Sequence, residues 1–186
     1  MRISISGAHS TGKSTVIDAL KQEPRITSRF EFKGEILRSI KRAGISINEA
    51  GTDNTQLLVL SRMLENSTLD NVILDRCALD SLVYTAYLFE KEQVSKNTMR
   101  LAESIFENTY NDIYFYIKPE FDIVPDGVRS ECTEFRDRIS ELFEEYIDVY
   151  YKPVILLTGS VEERVAIFKE ALKMYDEWMS ENKREK

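Results

Sequence analysis

The stretch Gly7-Ala8-His9-Ser10-Thr11-Gly12-Lys13-Ser14 decides the fold of this chain of 186 residues. It matches, without a gap, the pattern of a glycine, four further residues, a second glycine, a lysine and a serine or threonine. Residues 3–5 before it (Ile-Ser-Ile) are typical of a short buried strand, and residues 14–21 after it are typical of an amphipathic helix. A strand, a glycine-rich loop and a helix in this order predict a phosphate-binding loop for a nucleoside triphosphate.

The residue types of this loop match the chemistry of phosphate binding. Gly7 and Gly12 let the backbone turn sharply, so that successive N–H groups can point towards phosphate oxygens. The amino end of the following helix adds partial positive charge. Lys13 is expected to contact the β- and γ-phosphates of ATP, and the Ser14 hydroxyl to ligate a bridging Mg²⁺ ion. The predicted nucleotide-binding residues here are Gly7, Ser10, Thr11, Gly12, Lys13, Ser14 and Thr15.

Length and composition predict a single globular domain spanning residues 1–186. The chain is 42% hydrophobic and 31% charged, which is typical of soluble globular proteins. Its apolar runs are far shorter than a membrane span, and the first strand leaves no room for a signal segment, so we expect a cytoplasmic protein with no membrane partner. Cys77 and Cys132 are too few for a disulfide framework or a metal cluster. The net charge of −7 argues against a general nucleic-acid-binding surface, although a local basic groove stays open.

Short apolar segments alternate with helical ones, which predicts an α/β protein with a parallel sheet and helices on both faces. The predicted strands are 3–5, 29–32, 72–74, 113–117 and 154–157. The predicted helices are 14–21, 34–43, 54–65, 80–91, 95–110, 133–151 and 161–179. Ser160 and Glu163 form a capping-box signature at the start of the last helix. The region around 118–138 contains two prolines and an Asp-Gly turn, which makes it a candidate lid.

Asp75 and Arg76 follow directly after an apolar strand, at the edge where open α/β sheets bind ligands. We therefore expect Asp75 to lie near the phosphate loop. Its carboxylate could hold Mg²⁺, directly or through water, or accept a proton from an attacking hydroxyl. Arg76 could hold the charge of a substrate or a phosphate. The alternative is an ordinary turn at a strand end with a surface ion pair.

Two further carboxylates are candidates for substrate binding. Glu31, near the end of the second predicted strand, could face the same crevice, or it could be an ordinary charge on an edge strand. Asp80 could contact the substrate or only cap the helix that begins beside it.

Three arginines lie in or just after the candidate lid. Phosphoryl transfer needs positive charge that closes over the γ-phosphate while water is excluded. We assign that catalytic role first to Arg129 and a substrate-binding role to Arg136, whereas Arg138 could equally be a solvated arginine. The single histidine, His9, could contact a phosphate, but filling a variable loop position is the favoured interpretation.

Three segments carry a resemblance to a known family. They are the loop 7–14, residues 75–80 (Asp-Arg-Cys-Ala-Leu-Asp) with Tyr84, and residues 126–129 (Asp-Gly-Val-Arg). Together they resemble the small P-loop kinases of the ribosylnicotinamide kinase group, which is also described as AAA-like ATPase domains. That group is related to thymidylate and deoxynucleoside kinases. The resemblance covers the chain from residue 1 to about residue 171.

The resemblance implies a three-layer P-loop NTPase fold of the nucleoside-monophosphate-kinase type. Its five-stranded parallel sheet would have the order 2-3-1-4-5, with an arginine-bearing lid. The implied reaction is transfer of the ATP γ-phosphate, with Mg²⁺, to a hydroxyl or phosphate of a nucleoside, a nucleotide or a modified nucleobase. Lys13 and Ser14 would serve ATP and magnesium, and Asp75 the acceptor or the metal. Arg129 would belong to the lid, and Gly159 would lie beside the adenine.

The chain departs from the family at one point. In the family the second strand often ends in a glutamate that is followed three residues later by an arginine, whereas here Glu31 is followed by Gly34. Some members of the wider group are encoded by phages and resemble kinases of hydroxymethyluracil in DNA. DNA is therefore a possible substrate, and the host cytoplasm would then be the location. The basic residues Lys33, Arg38, Lys41 and Arg42 could hold a phosphate backbone or form a solvated helix face.

Two functions outside the kinase class are also compatible with the loop. The first is a nucleotide-dependent switch ATPase, although the chain has no Asn-Lys-X-Asp motif of GTPases at a suitable position. The second is a regulatory module that only binds ATP. The sequence does not indicate an oligomeric state.

Overall fold

Strands and helices alternate in the computed structural model, which describes residues 1–34, 36–122, 132–150 and 153–182. The strands are β1 (Arg2–Ser6), β2 (Glu31–Lys33), β3 (Val72–Asp75), β4 (Ile113–Tyr116) and β5 (Val154–Leu156). The helices of the described ranges are α1 (Lys13–Leu20), α2 (Pro24–Thr27), α3 (Ile36–Arg42), α4 (Asp53–Asn66), α5 (Ala78–Glu90), α6 (Lys96–Asn108), α7 (Thr133–Val149) and α8 (Val161–Asn182). A 3-10 turn lies at Asn48–Ala50.

The five strands pair in parallel in the order β2-β3-β1-β4-β5, which confirms the predicted sheet and its order. β1 lies in the middle of the sheet and is buried on both faces: Ile3 and Ile5 point to one face, Ser4 and Ser6 point to the other, and all four are buried. The loop after β1 therefore emerges between the ends of β3 and β4. In open parallel sheets this position forms a ligand-binding crevice.

Helices cover both faces of the sheet and complete the three layers. On one face Phe115 of β4 stacks on Phe168 of α8, with ring centroids 4.6 Å apart. On the other face Tyr116 packs against Phe143 of α7, with ring centroids 5.4 Å apart. A smaller apolar cluster between α3 and α4 lies beside the crevice. None of the helices in the described ranges combines the length and hydropathy that a membrane-spanning segment needs.

The second strand differs from its predicted position. Residues 24–27 form α2, and Phe30 turns its ring into the core instead of opening a strand. Pairing begins at Glu31, whose N–H donates to the carbonyl of Asn71 at 2.9 Å. The carboxyl end of β2 is therefore Lys33, and the chain continues through Gly34 to the level of Asp75.

The start of α8 and the predicted lid are both relevant to the site. The predicted capping box of α8 is confirmed, because the Ser160 N–H donates to Glu163 Oε2 at 2.7 Å and the Glu163 N–H donates to Ser160 Oγ at 3.2 Å. Residues 123–131 of the predicted lid, which include the Asp-Gly turn and Arg129, lie outside the described residues.

Candidate functional site

The loop between β1 and α1 has the backbone geometry that its glycines allow. Gly7 has φ +142° and Gly12 has φ +88°, and Ser10 between them has φ +57°. A Cβ atom on Gly7 would lie 2.4 Å from the carbonyl oxygen of Ile117, just after β4. Glycine is thus required at position 7 both by the conformation and by the close approach of backbone.

Lys13 begins α1 with its side chain buried inside the loop. Its ammonium donates to the carbonyl of Gly7 at 2.8 Å, to Thr11 Oγ1 at 3.2 Å and to the carbonyl of Ala8. The positive charge is thereby held at the amino end of α1, where helix geometry and loop N–H groups favour an anion. Ser14, the next residue, is half-buried and lines the adjoining crevice.

A crevice of about 470 Å³ runs from this loop along the carboxyl ends of β2 and β3. It brings together Lys13 and Ser14 from the loop with Asp75 and Arg76 from the end of β3. This volume is in the range of small-molecule sites. The four residues that the sequence assigned to the donor and to the acceptor thus line one cavity.

Asp75 is the last residue of β3 and pairs with Ile5. A Cβ atom on Gly34 would lie 2.8 Å from the Cβ of Asp75, so the missing side chain lets the chain after β2 pass against this aspartate. Within the described residues, no hydrogen bond or ion pair holds the Asp75 carboxylate.

Arg76 links the crevice to the phosphate loop. It has φ +78°, an unusual conformation for arginine, and its Nη1 donates to the carbonyl of Gly7 at 3.2 Å and to Asp80 Oδ1 at 3.1 Å. Its guanidinium lies over the ring of Tyr84, 5.2 Å from the centroid. Burial alone would lower the pKa of Arg76, but attraction by Tyr84, Asp80 and Asp75 outweighs it and raises the pKa above its ordinary value. Arg76 is therefore a fixed positive charge.

Asp80 caps the amino end of α5. It is almost completely buried, and its carboxylate accepts from the N–H of Cys77 at 3.0 Å and the N–H of Gly7 at 3.4 Å, besides Arg76. Both carboxylate oxygens are thus engaged. Of the two predicted roles, the structure places Asp80 in the capping role, and it adds a role in orienting Arg76.

The structure contradicts the expectation that Glu31 faces the crevice. Glu31 is the first residue of β2 and pairs with Val72, three residues before Asp75 along the neighbouring strand. At the rise of a strand this places it about 10 Å from the level of Asp75. Its side chain is 66% exposed and forms an ion pair with Lys33.

The arginines of α7 are engaged away from the crevice. Arg136 is buried and donates through Nη1 to the carbonyl of Phe121 at 2.8 Å, which ties α7 to the segment after β4. The structure thus gives Arg136 a contact that joins two segments, and its substrate-binding role stays a prediction. Arg138 binds a cluster of surface carboxylates: Glu90, Glu141 and Glu145. Hydrogen bonding to Glu90 is the main cause that raises the pKa of Arg138.

His9 packs against α7 at the border of the crevice. Its ring stacks on Phe135 with centroids 5.0 Å apart, and the Tyr84 hydroxyl lies 3.4 Å from His9 Nδ1. The His9 N–H donates to the same hydroxyl at 3.0 Å. Burial is the main cause that raises the pKa of Tyr84, which therefore stays protonated. The contacts of His9 go beyond the expected filling of a variable loop position, because its ring packs against α7 and also lines the crevice.

Gly159 and Arg164 complete the surroundings of the loop. Gly159 follows β5 with φ +83°, and its N–H donates to Glu120 Oε2 at 3.3 Å. Arg164 in the first turn of α8 is 2% exposed and donates to the carbonyl of Thr11. Sequence reasoning missed Arg164, because an arginine on an amphipathic helix ordinarily indicates a solvated position. The role of Gly34 was missed as well, since only the paired strands bring it against Asp75.

The fold and the loop together define a P-loop protein with a three-layer α/β architecture. Residues 2–164 match the family model of an AAA domain, and the chain belongs to this family of AAA domains. No curated protein sequence matches the chain.

Solved structures with the same fold include P-loop kinases. A deoxyadenosine kinase from M. mycoides, with products dCMP and a flexible dCDP bound, is 17% identical with a TM-score of 0.68, over 94% of this chain and 99% of that chain. NadR in complex with NR is 20% identical with a TM-score of 0.71, over 94% of this chain. Only 51% of the NadR chain is covered, so the present chain spans about half its length. NadR in complex with NAD and AMP-PNP matches with a TM-score of 0.68 at 17% identity, over 94% of this chain and 49% of that chain. The chain thus has the fold of small P-loop kinases related to deoxynucleoside kinases.

Proposed function

We propose that this protein is an ATP-dependent phosphotransferase that moves the γ-phosphate to a hydroxyl or phosphate of a nucleoside, a nucleotide or a modified nucleobase. The observation that carries the proposal is the position of Asp75. Its carboxylate shares one crevice with Lys13 and Ser14, and no hydrogen bond or ion pair among the described residues engages it. The kinases with the same fold support ATP as the donor, since NadR has been solved with AMP-PNP.

The donor half of the site would hold the triphosphate by the loop N–H groups and the Lys13 ammonium. Oxygen ligands suit Mg²⁺, and Ser14 and Asp75 present a hydroxyl and a carboxylate to the crevice. The described residues contain no group of three or more His, Cys, Asp or Glu side chains that could hold a metal by themselves. Magnesium would therefore be held by Ser14, by Asp75 directly or through water, and by the nucleotide. When bound, it neutralises charge on the transferring phosphoryl group.

The acceptor half of the site would lie between β3 and α3. Apolar side chains of Phe32, Ile36 and Leu37 line this part of the crevice, next to polar ones such as Asn48. Apolar side chains next to polar groups suit a nucleoside, whose base is flat and whose sugar carries hydroxyls. Asp75 would orient or deprotonate the acceptor hydroxyl, and Arg76 would stabilise the developing negative charge.

A base in DNA is the second candidate acceptor, because basic residues border the crevice. Arg38 lines it, and Lys41 and Arg42 are exposed on the same helix. Lys33 also lines the crevice, and it forms an ion pair with Glu31. A phosphate backbone along α3 would place a modified base at the opening near Asp75.

Transfer of labelled γ-phosphate to a panel of acceptors tests the proposal. The panel consists of deoxynucleosides, ribosylnicotinamide, nucleoside monophosphates, and duplex DNA with and without hydroxymethyluracil. Label in a nucleoside or nucleotide supports the metabolite kinase, and label in the DNA fraction alone supports the DNA kinase. ATP hydrolysis that no acceptor alters, but that a protein partner stimulates, would instead indicate a switch ATPase. ATP binding with neither transfer nor hydrolysis would indicate a regulatory module.

A further inference from the structure

Arg164 is a buried cation directly behind the phosphate loop. Its Nη1 donates to the carbonyl of Thr11 at 2.9 Å, and its Nη2 donates to Glu120 Oε2 at 2.8 Å. The guanidinium also lies over the ring of Phe121, 5.5 Å from the centroid. A buried guanidinium is tolerated only where it is paired and hydrogen-bonded, because desolvation is costly. Of its two hydrogen-bonded partners, Thr11 belongs to the phosphate loop and Glu120 contacts Gly159.

The hydrogen bond from Arg164 to Thr11 acts on the peptide group between Thr11 and Gly12. The Thr11 carbonyl and the Gly12 N–H belong to the same peptide group. A charged donor on the oxygen polarises that group and makes its N–H a stronger donor. Since a phosphate loop binds its ligand through such N–H groups, Arg164 strengthens the anion site without touching the ligand.

The second glycine of the loop is matched to this arginine. A Cβ atom on Gly12 would lie 3.0 Å from Nη1 of Arg164, so the absence of a side chain leaves room for the guanidinium. Gly12 thus permits both the left-handed φ of +88° and the close approach of the Arg164 guanidinium.

Glu120 extends the connection to the loop after β5. Its Oε2 accepts from Arg164 and also from the N–H of Gly159 at 3.3 Å. The Arg164–Glu120 pair therefore joins the phosphate loop, the segment after β4 and the loop at Gly159.

We propose that Arg164 is a positioning residue that orients and polarises the Thr11–Gly12 peptide for polyphosphate binding. The choice of ATP as the probe rests on the proposed function. The chain also offers a matched control. Arg29 is another arginine that anchors α8, through a two-pronged ion pair with Asp176 that includes a 2.7 Å contact, and it does not touch the loop.

The experiment compares Arg164→Met, Arg164→Lys and Arg29→Met by three measurements: thermal unfolding, calorimetric affinity for ATP and ADP, and the amide resonance of Gly12 without nucleotide. Arg164→Met is expected to weaken ATP binding about tenfold or more, whereas Arg29→Met stays within about twofold of the wild type. Arg164→Lys is expected to be intermediate, because one ammonium cannot reproduce the guanidinium fork. The Gly12 amide resonance should move in both Arg164 variants and stay in place in Arg29→Met.

The inference is overturned if Arg164→Met binds ATP as tightly as Arg29→Met does and if the Gly12 amide resonance does not move. If Arg164→Met fails to fold, Arg164→Lys decides, and wild-type affinity in that variant also overturns it. A wild-type protein that binds no ATP contradicts the proposed function instead. In that case the Gly12 resonance still tests the role of Arg164.

Discussion

The aspartates at the two edges of the same sheet differ in how they are engaged. At the amino edge Asp112, just before β4, accepts from the N–H of Arg2 at 2.7 Å and from the Tyr175 hydroxyl at 2.6 Å. Arg2 in turn donates to the carbonyls of Tyr110 and Leu69 at 2.8 Å and 3.0 Å. These groups join the first strand, the turn before β4 and α8.

At the carboxyl edge Asp75 has no hydrogen bond or ion pair among the described residues, and its neighbour Arg76 has a positive φ. Gly7 lies against the backbone of Ile117 at the same edge. Strained backbone and unused polar groups lower stability, and they occur where binding or catalysis needs them. The contacts of Asp112 stabilise the amino edge, and under the proposed function the carboxyl edge would carry the chemistry.

Substitution Asp75→Asn is expected to have the largest effect. It removes the proposed proton acceptor, so turnover should fall about 10³-fold. ATP affinity should change less than about threefold, because the loop and Lys13 hold the triphosphate. Single-turnover phosphate transfer and calorimetry measure the two effects. Asp112→Asn serves as the control and should retain wild-type turnover.

Retained turnover in Asp75→Asn would remove Asp75 from the base role. If raised Mg²⁺ concentration restores the activity of Asp75→Asn, the Asp75 carboxylate is a magnesium ligand instead.

Replacing Gly7 by alanine tests how the close backbone contact at the carboxyl edge affects stability. The new Cβ would meet a backbone oxygen at 2.4 Å, which only a shift of β4 could relieve. We expect a loss of about 3 kcal/mol or more in the free energy of unfolding. Gly44→Ala is the matched control, since Gly44 has φ +77° but nothing within 4 Å of a built Cβ. It should lose only about 1 kcal/mol in urea unfolding, and equal losses would show that the approach to Ile117 is unimportant.

Asp112→Asn tests the stabilising edge and has a distinct pH dependence. Burial raises the pKa of Asp112, but the Tyr175 hydroxyl, the Arg2 N–H and nearby positive charges outweigh it and hold the pKa below its usual value. A carboxylate with a lowered pKa contributes stability above its unfolded pKa, and this contribution is lost as the pH falls through the folded value. The variant should thus lose about 1–2 kcal/mol at neutral pH.

That difference between Asp112→Asn and the wild type should shrink below about pH 4, where the unfolded chain protonates. Urea unfolding at several pH values measures it. A difference that stays constant into acid would contradict the assigned hydrogen bonds.

Glu31→Gln is expected to have the smallest effect. Glu31 is exposed and lies at the amino end of β2, away from Asp75. We expect kcat/KM to change less than about twofold. A loss of tenfold or more in the phosphate-transfer assay would show that the chemistry extends beyond the carboxyl edge.

The sequence predicted the elements well where a local pattern was strong. The strand around Ile73 is a continuous apolar run, the strand around Ile3 is a short β-branched segment before the glycine loop, and the α8 cap follows from Ser160 and Glu163 three residues apart. Glu31 was misplaced because strand pairing, which propensity does not encode, determines where β2 begins. α2 was missed because four residues carry too little periodicity to reveal a helix.

By itself the sequence determined the order of strands and helices, the phosphate loop from Gly7 to Ser14 and the position of Asp75 at a strand end. These features depend on neighbours along the chain, whose spacing the sequence displays directly. Only the tertiary structure decided which charges are engaged: Asp80 by the cap of α5, Arg136 by Phe121, and Arg164 by a loop 153 residues away in the chain. Such contacts depend on packing between distant segments, and packing determines whether a charge stabilises the fold or stays available to a ligand.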